Sequence, residues 1–219
     1  MKSDKAVLVL AIVALLSGIF AATYVYLYTH NESLPGFLGL TITDIATVNL
    51  TVESNLAINF STDNINWGSG RVIVGADNAT LNTAGNSTGG TPVSQRNGNW
   101  TNNTAGLVLE NIGNALMNIS INVTKNATTF LGGTNPVYKL NFSEAEAGSC
   151  RGFFPGLINA TFYDVNATFI NATGYKICES LNFSENTNSL RIDVFLQVPR
   201  DSITGSLSDT ITAIGIAST

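Results

Sequence analysis

The chain has 219 residues, of which 11% are charged and 44% are hydrophobic, and its formal net charge is −5. The few Lys and Arg residues are scattered, so the sequence offers no basic patch for phosphate and we expect no nucleic-acid partner. Solubility must instead come from Asn, Thr, Ser and attached sugar.

The first predicted element is an uncharged apolar run, Ala6 to Tyr28, behind the short charged stretch MKSDK. A bilayer span needs about 20 apolar residues, so this run is long enough to cross one. Two lysines precede it and no Lys or Arg follows until Arg71, which places the short tail in the cytoplasm by the positive-inside bias. We therefore predict that residues 1–28 form a hydrophobic transmembrane helix, which acts as anchor, signal or filament core. Residues 29–219 form the extracellular domain.

Behind this helix, short runs of apolar residues alternate with polar ones, which is the period of a half-buried strand. Segments rich in Gly, Asn, Ser and Pro separate the runs, and no helical period appears among them. The predicted strands are Leu40–Val52, Leu56–Phe60, Arg71–Gly75, Gly106–Asn111, Ala115–Thr124, Val137–Phe142, Leu190–Val198 and Asp209–Ile216. The sequence therefore predicts a mainly β fold, a single immunoglobulin-like or jelly-roll-type β-sandwich after one N-terminal helix.

Two stretches suggest particular connections between these strands. LVLENIGNALMNISINV, from Leu107 to Val123, predicts a hairpin whose turn at Asn111–Asn114 uses Gly113 for an unusual backbone angle. Asp77–Asn103 has almost no apolar side chains, which predicts a long glycan-bearing surface loop or, alternatively, a binding loop.

Asn-x-Ser/Thr glycosylation acceptors occur throughout the chain, and MNISINVTKNAT alone holds three of them. Apolar residues alternate with the asparagines there, so we expect the acceptors to face outward. The candidates are Asn31, Asn49, Asn59, Asn78, Asn86, Asn99, Asn102, Asn118, Asn122, Asn126, Asn141, Asn159, Asn166, Asn171 and Asn182. Such density favours a glycosylated protein outside the cytoplasm. A polar β-protein with chance matches is the alternative.

Both cysteines, Cys150 and Cys178, lie in the predicted outer domain, where an oxidising setting favours a disulfide between them. The crosslink would stabilise the domain by about 3 kcal/mol on the loop-entropy estimate. A metal site is the alternative reading, but the single histidine, His30, lies beside the hydrophobic run. We therefore predict covalent glycans and no metal or other cofactor.

The sequence offers little for catalysis, because its only histidine is far from any plausible cleft. Glu144 and Glu146 are spaced for proton transfer, although a solvated strand edge accounts for them more simply. Ser61–Gly70 is similar to part of a calcium loop, and Asp164 with Asn166 offers the same kind of ligands. Asx turns explain both stretches better, so we expect no metal site and no enzyme.

Two features carry a resemblance to known families. Asp4-Lys5-Ala6 before the apolar run resembles the processing site of archaeal type IV pilin and archaellin precursors, which implies a cut before the helix. LENIGNALMNISINV and the terminal GSLSDTITAIG resemble stretches of camelysin-like biofilm-fibre and archaeal bundling-pilus subunits. That resemblance implies β-sandwiches that assemble by donating a strand to the next subunit.

These observations predict a non-enzymatic structural glycoprotein of the cell exterior, the subunit of an archaeal surface filament or coat. Its partners would be copies of itself and, before assembly, a membrane. Copies would join through the N-terminal helices or by pairing of Gly36–Leu50 with a neighbour's sheet edge. The alternative is a membrane-tethered adhesion or ligand-binding module using Asp77–Asn103 or the disulfide-closed insert. Its aromatic contacts would be Phe153, Phe154, Phe162 and Tyr163.

Overall fold

The computed structural model describes residues 14–23, 25, 47–88, 91–154 and 161–218. The chain divides into two compact units, Met1–Thr51 and Val52–Thr219.

In the first unit, residues 14–23 form helix α1, and its apolar side chains are exposed. Within the described parts of the chain, no helix has the length and hydropathy needed to cross a membrane. The predicted span from Ala6 to Tyr28 extends beyond the described residues at both ends of α1.

The second unit is mainly β, and its strands form two antiparallel sheets. Among its described residues, this unit has a single short helix, α2 (Ala127–Leu131). The strands are β1 (Ile58–Thr62), β2 (Asn78–Thr88), β3 (Thr91–Arg96), β4 (Leu107–Asn111), β5 (Met117–Val123), β6 (Val137–Glu144), β7 (Tyr163–Asp164), β8 (Tyr175–Leu181), β9 (Ser189–Pro199) and β10 (Ile211–Ala217).

The first sheet is organised around β9, a central strand of 11 residues. One edge of β9 pairs with β6, while the other pairs first with β4 and then with β2. β1 lies outside β4, β3 lies outside β2, and β7 adds to β6. The second sheet has three strands in the order β10, β5, β8.

Side chains from both sheets form one apolar core. β5 buries every second residue, as its alternating apolar pattern predicts, and β9 directs a similar row inward. These residues are Met117, Ile119, Ile121 and Val123 on β5 and Leu190, Ile192, Val194, Leu196 and Val198 on β9. Full burial of such a side chain contributes roughly 1.5–3 kcal/mol, so these rows are a main source of stability.

The predicted hairpin between β4 and β5 is wrong, because the two strands belong to different sheets. The turn between them is a crossover, and Gly113 does not adopt a positive φ there. A Cβ on Gly113 would lie only 2.2 Å from the carbonyl oxygen of Asn55. Glycine is therefore required by the close approach of the chain that leads into β1.

The predicted surface loop over Asp77–Asn103 is also wrong, because it contains strands β2 and β3. β2 pairs with β9, and Ala79 and Leu81 are buried against it. This segment needs few apolar residues because its polar groups form hydrogen bonds with one another. For example, the side chain of Asn102 accepts the N–H of Ser94 at 2.6 Å. Partners distant in sequence thus decide the structure of this segment.

Six of the eight predicted strands are confirmed within a few residues, as β1, β4, β5, β6, β9 and β10. Arg71–Gly75 forms only an isolated bridge at Val72. Residues 47–52 of the predicted strand Leu40–Val52 are not in a strand, and residues 40–46 lie outside the described parts. β8 was missed because bulges at its pairing with β5 place Ile177 and Cys178, adjacent in sequence, both in the core.

Candidate functional site

Sheet edges are the candidate functional surfaces, because an unpaired strand is a template for another chain. Three edges of the first sheet carry features that discourage pairing. The pairing of β1 with β4 shifts register between Phe60 and Thr62, β3 contains Pro92 and Arg96, and β7 has only two residues. Bulges, proline, charge and short length are the usual protections of natural edges.

The outer edge of β8 in the second sheet is already occupied. The segment Cys150–Phe154 runs antiparallel to it, with bridges from Cys150 to Leu181 and from Phe153 to Cys178. The predicted disulfide between Cys150 and Cys178 is confirmed, with Cα atoms 5.9 Å apart. This edge therefore has a covalently held cover.

β10, at the opposite edge of this sheet, has no comparable cover in the part of the chain that the structure describes. Its sequence, ITAIGIA, contains no charge and no proline, and it pairs with β5 over seven residues without a register shift. Within the described part of the chain, no strand pairs with its other edge. The sequence predicts this strand but not its open edge, because a strand that is paired on both sides also lacks charge and proline.

The hydrogen bonds beside β10 identify which of its backbone groups face away from β5. Thr124 donates its N–H to the carbonyl of Thr210 at 3.2 Å, and Ser218 donates to Leu116 at 2.9 Å. Bonded pairs alternate along an antiparallel ladder, so the even-numbered residues of β10 bond to β5. The N–H and C=O groups that face outward therefore belong to Ile211, Ala213, Gly215 and Ala217.

Apolar side chains lie along this open edge. Ile211 and Ala213 of β10 and Ile58 and Phe60 of β1 pack on the core but are only partly buried. Carbon atoms of Ile58 lie 3.6 Å from the position that a Cβ on Gly215 would take. β1 and β10 thus come together at Ile58 and Gly215, and we call the partly buried residues Ile58, Phe60, Ile211 and Ala213 the β1–β10 seam.

The chain before β1 provides an apolar strand-like segment. Val48, Leu50 and Val52 alternate with polar residues and are 92%, 84% and 72% exposed. The domain proper is joined to the chain just after them, where Asn55 accepts the N–H of Asn114 at 3.0 Å. Period-two alternation with an exposed apolar row is the pattern of a strand that has one face to bury.

The structure separates the predicted glycan acceptors by accessibility. Six asparagines are exposed: Asn49, Asn59, Asn99, Asn102, Asn166 and Asn171. Five are partly exposed: Asn78, Asn118, Asn122, Asn126 and Asn182. Asn141 is buried, at 6% exposure. Asn31, Asn159 and the side chain of Asn86 lie outside the described parts.

The candidate calcium-loop stretches contain Asx turns, as expected from their sequence. Asn66 accepts the N–H of Gly68 at 2.7 Å, and Asn166 accepts the N–H of Thr168 at 2.9 Å. Among the described residues, no three His, Cys, Asp or Glu side chains come together as metal ligands. The side-chain oxygens of these turns therefore bond to the chain itself.

The two candidate acids are used in backbone hydrogen bonds. Glu144 accepts the N–H groups of Gly148 and Cys150 at 3.1 and 3.0 Å, and Glu146 accepts that of Asn188 at 3.0 Å. They hold the loop after β6 in place. His30, the remaining candidate for acid–base chemistry, lies outside the described residues.

No protein-family model, curated protein or solved structure was found to match this chain.

Proposed function

We propose that this protein is a non-enzymatic structural glycoprotein of the cell exterior, a subunit of an archaeal surface filament or coat. Its domain is an immunoglobulin-like or jelly-roll-type β-sandwich, and its copies join by strand addition. The segment around Val48–Val52 of one copy pairs with the free edge of β10 in the next. The observation that carries the proposal is the unprotected β10 edge beside a half-buried apolar seam.

The two surfaces complement each other physically. β10 offers the outward backbone groups of four residues, which a strand can satisfy. An added strand would lay its apolar row on the β1–β10 seam, covering Ile58 and Phe60. Each valine or leucine fully buried in this way contributes roughly 1.5–3 kcal/mol before the cost of association.

The exterior location rests on covalent chemistry. Disulfides persist in oxidising surroundings and are rare in the cytosol, and Cys150 and Cys178 are joined. Eleven of the predicted acceptor asparagines are exposed or partly exposed, so they can carry glycans without disturbing the core. The N-terminal hydrophobic helix would hold the subunit at the membrane before assembly and could enter a filament core afterwards.

The tethered adhesion module is the weaker alternative. One of its two loops, Asp77–Asn103, is largely a β-hairpin. In the disulfide-closed insert, Phe153, Phe154 and Tyr163 pack against the domain's own core, and Phe162 contacts Phe195 with ring centroids 5.8 Å apart. These aromatic rings already contact other residues of the domain and are less available to a ligand. Filament or coat assembly is therefore the better-supported function.

The test is a full-length variant with Val48→Asp and Leu50→Asp, expressed in the native host. Both side chains are exposed, so the domain should fold and keep its disulfide, while two charges would face the apolar seam of the neighbour. We expect the sheared surface fraction, examined by electron microscopy and intact mass, to lose its polymer. N-terminal peptide mapping of the same fraction shows whether the chain begins at or after Ala6.

Val74→Asp is the matched control, because Val74 is 99% exposed and lies outside both surfaces. It should polymerise like the natural protein. Ala213→Pro tests the acceptor side, since it removes an outward N–H while leaving the bonds to β5. Normal polymer from the Val48→Asp/Leu50→Asp variant would overturn strand addition by this segment.

A further inference from the structure

The segment that covers the outer edge of β8 behaves as an added strand. Arg151 donates its N–H to the carbonyl of Ser180 at 2.9 Å, and Glu179 donates to Gly152 at 2.8 Å. Phe154 donates to the carbonyl of Ile177 at 3.1 Å. The segment thus satisfies the same kind of backbone groups that, on β10, have no strand partner among the described residues.

Besides these backbone bonds, non-covalent contacts hold the cover at both ends, because Phe153 and Phe154 pack against the core and the turn before the cover is fixed by Glu144. The carboxylate of Glu144 accepts the N–H groups of Gly148 and Cys150, which fixes the turn before the cover. The cover itself contains Gly152 at φ 109°, a conformation that only glycine adopts readily. The Cys150–Cys178 disulfide adds the one covalent bond between the cover and β8.

We propose that this disulfide is an edge guard: it keeps Cys150–Phe154 on β8, so that a second copy can add a strand only at β10. This inference rests on the proposed strand addition. It gives each subunit one open edge and one closed edge in the same sheet, which makes assembly directional. Loss of the disulfide would release the cover and open a second acceptor edge for the same apolar segment.

The release itself can be measured without any partner. The full chain carrying Cys150→Ser and Cys178→Ser, in the Val48→Asp/Leu50→Asp background that cannot donate, is compared with the same background retaining both cysteines. Amide hydrogen exchange should rise at least about tenfold at Arg151, Phe154 and Glu179, because these bonds then open locally. Protection in β9 should be unchanged, which shows that the domain remains folded. Unchanged exchange at the three amides would overturn the guard.

The second measurement counts acceptor edges. The probe is a synthetic peptide, TVNLTVE, which is residues 47–53. We expect one peptide bound per chain with the disulfide and two without it, by titration calorimetry. One peptide in both cases would overturn the guard and leave strand addition standing. No binding to either protein would instead overturn the proposed function. If the Ser variants lose β9 protection, Cys150→Ala and Cys178→Ala, which place no hydroxyl in the core, replace them in both measurements.

Discussion

The hydroxyl of Thr83 donates a hydrogen bond of 2.8 Å to the carboxylate of Asp193, and both residues are buried. The same hydroxyl accepts the N–H of Val194 at 2.9 Å. This part of β9 lies between its pairing with β4, which ends at Ile192, and its pairing with β2, which begins at Phe195. The side chain of Thr83 therefore bonds to β9 at a position where neither the backbone of β4 nor that of β2 does.

Arg191 completes this junction by neutralising the buried carboxylate. Its guanidinium lies 2.8 Å from Asp193 and also donates to the carbonyls of Thr83 and Thr104. The hydrogen bond with Asp193 raises the pKa of Arg191, so the guanidinium stays charged. Buried charges are tolerated when they are paired and hydrogen-bonded in this way.

We expect Thr83→Val to destabilise the domain by roughly 1–3 kcal/mol, because it leaves a buried carboxylate and a buried N–H each short of one partner. The free energy of unfolding in urea, with the disulfide intact, measures this. Thr80→Val is the matched control on the same strand. The hydroxyl of Thr80 has no hydrogen-bond partner among the described residues, so its loss should be neutral or stabilising. Equal losses in both variants would contradict the role given to Thr83.

We expect Gly113→Ala to destabilise the domain by about 1–3 kcal/mol, the usual cost of forcing an atom into packed structure. The new methyl would displace the backbone at Asn55 and loosen the entry to β1. Urea unfolding checks the stability, and hydrogen exchange in β1 checks the location. Ile112→Ala, at an exposed neighbouring position, should change stability by less than about 0.5 kcal/mol. If Gly113→Ala behaves like this control, the close approach is unimportant.

A feature of this structure can be predicted from the sequence when the residues that determine it lie close together in the chain. The alternating pattern of β9 is complete within eleven residues, so its strand was predictable. The partner of β4 was not, because LENIGNALM has the pattern of a hairpin and only the arrangement of the two sheets decides otherwise. β2 depends in the same way on pairing with β9, which lies more than 100 residues later in the chain. Likewise, β10 has only one neighbouring strand among the described residues, and no local pattern in its sequence reveals how many neighbours it has.

We expect glycan at exposed acceptors such as Asn166 and Asn102 and none at Asn141. Asn141 is paired with Asp193 in the first sheet and is 6% exposed, so its amide nitrogen has no room for a sugar. Glycopeptide mass spectrometry of protein from the native cell surface measures occupancy at each site. Occupancy at Asn141 comparable to that at Asn166 would contradict the burial argument.

Asp201 should give the domain a pH-dependent stability at acid pH. Thr134 donates its backbone N–H at 2.9 Å and its hydroxyl at 2.7 Å to this carboxylate, and these bonds lower the pKa of Asp201. The folded pKa is thus below the unfolded value of about 3.9. The contribution is therefore present above about pH 4 and is lost as pH falls through the folded pKa.

Asp201→Asn removes this titration, so we expect the difference in urea midpoint between natural protein and variant to shrink as pH falls below about 4. The effect should be small because Asp201 is exposed. Glu185→Gln, at an exposed carboxyl in the turn between β8 and β9, is the control for general charge effects. If both variants follow the same pH dependence, the hydrogen bonds from Thr134 do not stabilise the fold. A shrinking difference for Asp201→Asn alone would show that this carboxylate links the loop before β6 to the turn after β9.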